Sequence, residues 1–75
     1  MLNIKYLISK GYYEGEFRQL TELRLEKNAI QTIDAKFFEL LNNLTELSLR
    51  DNQLTRIDGS TFKPLTNLIH LYLDK

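Results

Sequence analysis

A 24-residue period runs through the chain, and laying residues 20–44 over residues 44–68 keeps nine positions in step. The first unit reads Leu20, Leu23, Leu25, Asn28, Ile30, Ile33, Phe38, Leu41 and Leu44. The second reads Leu44, Leu47, Leu49, Asn52, Leu54, Ile57, Phe62, Leu65 and Leu68, and a third opens at Leu68, Leu71 and Leu73. One such unit cannot bury its apolar face alone, so successive units must stack into a shared core. Alternation in Leu23-Arg24-Leu25 and Leu47-Ser48-Leu49 sends leucines to one side and polar groups to the other, which predicts one short strand per unit. Strands are expected near 22–26, 46–50 and 70–74, with a weaker one near 2–5.

The N-terminal stretch joins the pattern only with a unit shortened to 21 residues, which sets Leu2 and Ile4 under Leu23 and Leu25, Tyr12 under Ile33 and Phe17 under Phe38. Leu7 and Ser9 break the pattern at the asparagine and following apolar positions. The chain therefore divides as one segment over 1–75: a degenerate repeat or N-terminal cap at 1–19, repeats at 20–43 and 44–67, and a partial repeat at 68–75.

The motif Leu-x-x-Leu-x-Leu-x-x-Asn-x-(Leu/Ile) at Leu20–Ile30 and Leu44–Leu54 resembles the leucine-rich-repeat family. Phe38 and Phe62 resemble the long repeat subtype common in extracellular receptors and matrix proteins. The resemblance implies an α/β-type repeat solenoid, an arc with a short parallel β-sheet on its concave face and irregular or short helical turns on its convex face. It also implies a phenylalanine spine through Phe38 and Phe62, and a protein-recognition role within a larger extracellular or cell-surface receptor, adhesion or matrix-type protein. Asn28 and Asn52 fall where the chain leaves each strand. There an amide, which both donates and accepts, can satisfy the inward-pointing backbone of two neighbouring turns, so both are read as structural. The next ladder asparagine is due at position 76, so the chain stops inside a repeat. That implies a fragment with open ends, which favour self-association.

In register, the outward positions form columns: Glu22, Glu46 and His70; Arg24, Ser48 and Tyr72; Glu26, Arg50 and Asp74; Lys27, Asp51 and Lys75. The last two alternate in charge and read as sheet stabilisation, whereas Glu22 and Glu46 are like charges side by side. The expected ligand-contacting residues are Glu22, Arg24, Glu46, Ser48, Arg50, His70 and Tyr72, since tyrosine and arginine are enriched at interface hot spots. The alternative is an ordinary solvated polar face in a spacer segment. Asn43-Leu44-Thr45 is a glycosylation sequon at the turn before the second strand, while Asn67-Leu68-Ile69 lacks the hydroxyl.

Ten basic residues balance ten acidic ones, so no global field draws nucleic acid or anionic membrane. With no cysteine there are no disulfides, thiolate metal sites or thiol nucleophiles. The apolar runs fall well short of the roughly 20 residues that span a bilayer, and Asn3 and Lys5 interrupt any signal-peptide core at the start. The single histidine has no serine or cysteine nucleophile at a recognisable spacing, with Ser60 and Asp58 in another layer. Gly11, Gly15 and Gly59 form no phosphate loop. Neither catalysis, a metal nor a cofactor is expected.

Overall fold

A computed structural model describes residues 1–74. Three strands, β1 (Glu22–Arg24), β2 (Glu46–Ser48) and β3 (His70–Tyr72), form one parallel sheet in the order β1-β2-β3. The register is one sequence period: Glu22 pairs with Glu46 and Glu46 with His70, and likewise Leu23–Leu47–Leu71 and Arg24–Ser48–Tyr72. The strands are shorter than the five residues the alternation predicts, but inter-layer bonding continues past them. The N–H groups of Leu25 and Lys27 donate to Ser48 O and Arg50 O at 2.9 and 3.1 Å, and Leu49 and Asp51 repeat this toward Tyr72 O and Asp74 O. At Lys27 and Asp51 the backbone turns left-handed, with φ of 60° and 59°, which ends the extended run at the same point in both repeats.

Parallel strands need long crossovers. The first passes through a 3₁₀ segment, Ala35–Leu41, that buries Phe37, Phe38 and Leu41, and whose entry is fixed by Asp34 Oδ1 accepting from Lys36 N at 3.2 Å. The second carries Phe62, whose ring stacks on Phe38 with centroids 5.8 Å apart at 25°. The spine that the resemblance implied is therefore present between these two units.

The N-terminal segment departs from the sequence expectation. No strand forms at 2–5. Residues Ile4–Ser9 instead make a helix, α1, because Asn3 adopts extended geometry and its side chain accepts from Tyr6 N at 2.9 Å, an N-cap that starts a helix where a strand was expected. The helix ends before Gly11, whose φ of 100° suits glycine. Leu2 pairs not beside β1 but with Ile33 on the crossover, donating to Thr32 O at 2.8 Å and accepting from Asp34 N at 2.9 Å. The part of the 21-residue alignment that does match is Phe17: it is buried in a second 3₁₀ segment, Glu14–Gln19, which packs on Ala35–Leu41.

Burial grades along the stack. Leu2, Leu7 and Phe17 share one buried cluster with Leu23, Leu25, Leu47 and Leu49, so that side of the core is covered. On the other side, Leu71 and Leu73, the period-equivalents of Leu47 and Leu49, remain 37% and 40% exposed. A cleft of about 340 Å³ lies beside Leu73, lined also by Leu49, Asn52, Gln53 and Leu54. Among the described residues no helix is long and apolar enough to cross a membrane.

Candidate protein-binding face

The sheet presents its polar column positions to solvent, and their geometry follows from the one-period register. Arg24 reaches diagonally across to β2: its guanidinium meets Glu46 Oε2 at 2.5 Å, and its Nε lies 4.0 Å from Glu22 Oε1. The sequence reading left Glu22 and Glu46 as an uncompensated like-charge pair; the neighbouring column supplies the compensation. Glu46 is largely shielded, its side chain 15% exposed, so it is held in that pair. Such a half-shielded pair is worth no more than about 1 kcal/mol, but it fixes where Arg24 points.

On the other side, Arg50 Nε donates to Asp74 Oδ1 at 2.9 Å while its guanidinium carbon sits 4.6 Å from the centroid of the Tyr72 ring. The His70 and Tyr72 rings, two residues apart on the same strand face, lie parallel at 8° with centroids 6.1 Å apart. His70, Tyr72 and Arg50 thus form a continuous planar-group platform clamped by one carboxylate, which is suited to cation–π and stacking contacts. Lys75, which the sequence reading set in the Lys27–Asp51 column, lies outside the described residues.

Ser48 corrects the expected contact set. It holds the middle of the Arg24–Ser48–Tyr72 row, yet it is only 1% exposed. Its side chain is short and its row neighbours are long, so it lies below the surface they define and offers no contact area. The hydroxyl meets no partner with full hydrogen-bond geometry, although it is close enough to the Glu26 carboxyl to hold that group below the usual carboxylate range. Backbone hydrogen bonding within Glu26 and the positive charges of Arg24 and Arg50 act in the same direction.

Beneath the face, Asn52 ties two layers. Its Oδ1 accepts from Asn28 N at 3.1 Å and Ile30 N at 2.9 Å, and its Nδ2 donates to Leu25 O and Leu49 O at 2.9 Å and to Arg50 O at 3.2 Å. Asn28, one layer earlier, donates to Glu26 O at 2.9 Å.

The sequence reading missed a second asparagine series. Asn43 Nδ2 donates to Arg18 O and Asn67 Nδ2 to Asn42 O, both at 2.6 Å, so each ties its turn to the residue 25 positions earlier. Thr45 Oγ1 likewise donates to Thr21 O at 3.0 Å. The signal is the recurrence of asparagine at 43 and 67, one period apart; comparing the two as sequons does not anticipate their inter-layer bonds. Both polar members of that sequon are engaged in inter-layer bonds. Asn43→Asp, which exchanges the donating amide for an acceptor facing Arg18 O, is expected to lower stability by about 1 kcal/mol, or about 4–8 °C in Tm for a domain of this size. Circular dichroism melting checks this, and an unchanged midpoint would show the bond to be idle.

A family model described as leucine rich repeat matches residues 18–75, and the chain belongs to the leucine-rich-repeat family. Comparison with curated proteins and with solved structures gives no match. Domains of this family generally mediate protein–protein interaction and are typically not enzymes. Among the described residues, no group of three or more His, Cys, Asp or Glu side chains is placed to hold a metal ion.

Proposed function

We infer that this chain recognises protein ligands through the outward face of its sheet, the concave side of a solenoid arc. It would act as a segment of a larger receptor, adhesion or matrix-type protein at the cell surface or outside the cell, without catalysing a reaction. The observation that carries the reading is the platform of His70, Tyr72 and Arg50, whose geometry joins stacked rings to a guanidinium held at 4.6 Å. Rigid aromatic and arginine groups lose little conformational freedom on binding and dominate interface energetics. Glu46 lies in the row beside the platform, Glu22 and Arg24 extend the polar face one strand further, and Ser48 underlies it. Repeat length, the phenylalanine positions and the Asn43 sequon support the extracellular setting.

A spacer role is the second reading, favoured by the Arg24–Glu46 and Arg50–Asp74 pairs, which let the face satisfy part of its charge internally. Panning a displayed random peptide library against the chain separates the two. Selected binders are expected to weaken at least about tenfold on Tyr72→Ala combined with Arg50→Ala. They should be unaffected by Lys63→Ala in the second crossover. Binders indifferent to the first pair of substitutions would favour the spacer.

A further inference from the structure

Both guanidiniums of the sheet face are already committed. Over the nine outward positions at 22, 24, 26, 46, 48, 50, 70, 72 and 74 there are four carboxylates against two guanidiniums. Arg24 is held by Glu46 and Arg50 by Asp74. The two charges left over, Glu22 and Glu26, both fall on the β1 row. Among the described residues Glu22 has only the long 4.0 Å approach of Arg24 Nε, with its side chain 60% exposed. The Glu26 carboxyl is held in its ionised form chiefly by the Ser48 hydroxyl. The stacked rings of His70 and Tyr72 occupy the opposite row, on β3. At these nine positions the face is therefore polarised, with two carboxylates not held by a guanidinium along one edge, Lys27 next beyond them, and the rings along the other.

Between these edges lies the second observation. Ser48, in the middle row, is 1% exposed, so the face dips there between the long side chains of Arg24 and Tyr72.

We propose that the face takes an extended protein segment lying across the strands, with a lysine or arginine seated at Glu22 and Glu26 and an aromatic side chain seated on His70 and Tyr72. This rests on the reading of the face as a protein-binding surface and adds the chemistry of the partner. The spacing follows from the sheet. Rows β1 and β3 are two strand separations apart, about 9–10 Å, which a chain in the polyproline II conformation covers in one turn of three residues at ~3.1 Å each, returning side chains three apart to the same side. The cation and the aromatic are therefore three positions apart in the partner, and the polar backbone between them passes over Ser48.

The experiment uses the full 75-residue chain and synthetic ten-residue peptides in a Gly/Ser background. One carries Arg and Trp three positions apart, a second has them adjacent, and a third replaces Arg by Glu. Titration followed by amide and side-chain NMR shifts is expected to show binding of the first peptide at Glu22, Glu26 and Tyr72. Binding should weaken about tenfold or more for the other two. Glu22→Gln combined with Glu26→Gln, both on the exposed edge, is expected to weaken the first peptide about tenfold and to flatten its salt dependence while leaving the circular dichroism unchanged. Equal binding of all three peptides, no binding of the first, or insensitivity to the double substitution overturns the proposal. Library binders that require Tyr72 but carry no cation would overturn the proposal and leave the protein-binding reading standing. Binders that ignore Tyr72 altogether would remove both.

Discussion

Asn52→Ala is expected to remove about 3–5 kcal/mol of stability, a large share of what keeps a chain of this length folded. The substitution removes in one step the acceptor for Asn28 N–H and Ile30 N–H and the donor to the carbonyls of Leu25 and Leu49, three of these four bonds being buried. Each buried backbone group left without a partner costs about 1–3 kcal/mol, so the combined loss is on the order of 3–5 kcal/mol even if water reaches some of them. A domain of this length has a total stability of about 4–11 kcal/mol, at ~0.05–0.15 kcal/mol per residue. Asn28→Ala is the matched control. The described side-chain bond of Asn28 runs to Glu26 O alone, so its loss should stay near 1 kcal/mol. Urea denaturation followed by circular dichroism reads both variants, and midpoints that fall together would show that Asn52 holds no special place between the layers.

Leu47→Asp is expected to abolish the cooperative transition altogether. Leu47 is fully buried in the central strand with a layer on each side, and a carboxylate there has neither water nor a cation to meet it. Losses above about 4 kcal/mol follow from an unpaired buried charge. The same change one period later, Leu71→Asp, falls on a side chain that is already 37% exposed and should be far milder. A retained thermal transition for Leu47→Asp would contradict the assignment of the core. Comparable damage from Leu71→Asp would mean that the far side of the stack is covered in solution.

The period made the sheet register legible before any coordinates. Glu22, Glu46 and His70 align because each is one repeat from the next, and a 24-residue spacing leaves one way to stack equal layers. The stacking of Phe38 on Phe62 follows from the same copying. What copying cannot provide is anything that differs between layers or runs obliquely. Arg24 reaches Glu46 because an arginine is long enough to cross to the next strand and the column beside it, which is a property of side-chain length rather than of period. Ser48 sinks out of reach because its row neighbours are Arg24 and Tyr72; a serine between small residues would have stayed exposed. At residues 3–9 the local capping bond from Asn3 outweighed a degenerate repeat pattern that Leu7 and Ser9 had already broken, and a helix took the place of the strand. Asn43 and Asn67 were visible as a pair one period apart, but their use depends on the carbonyls of Arg18 and Asn42 lying opposite, which only the folded turns arrange.

The one-period register also sets how this molecule assembles in time. Thr45 to Thr21, Arg50 to Asp74 and Asn67 to Asn42 join residues 24 or 25 apart. Each repeat layer therefore closes a loop of the same length and meets the same entropic barrier, while the N-terminal segment, which pairs Leu2 with Ile33, closes a longer one. In a sandwich of two sheets the separations grow with the chain, and folding slows with them. Among the repeat layers here they do not. Structure can start at the layer whose local contacts form soonest and spread outward one turn at a time, like a zipper with evenly spaced teeth.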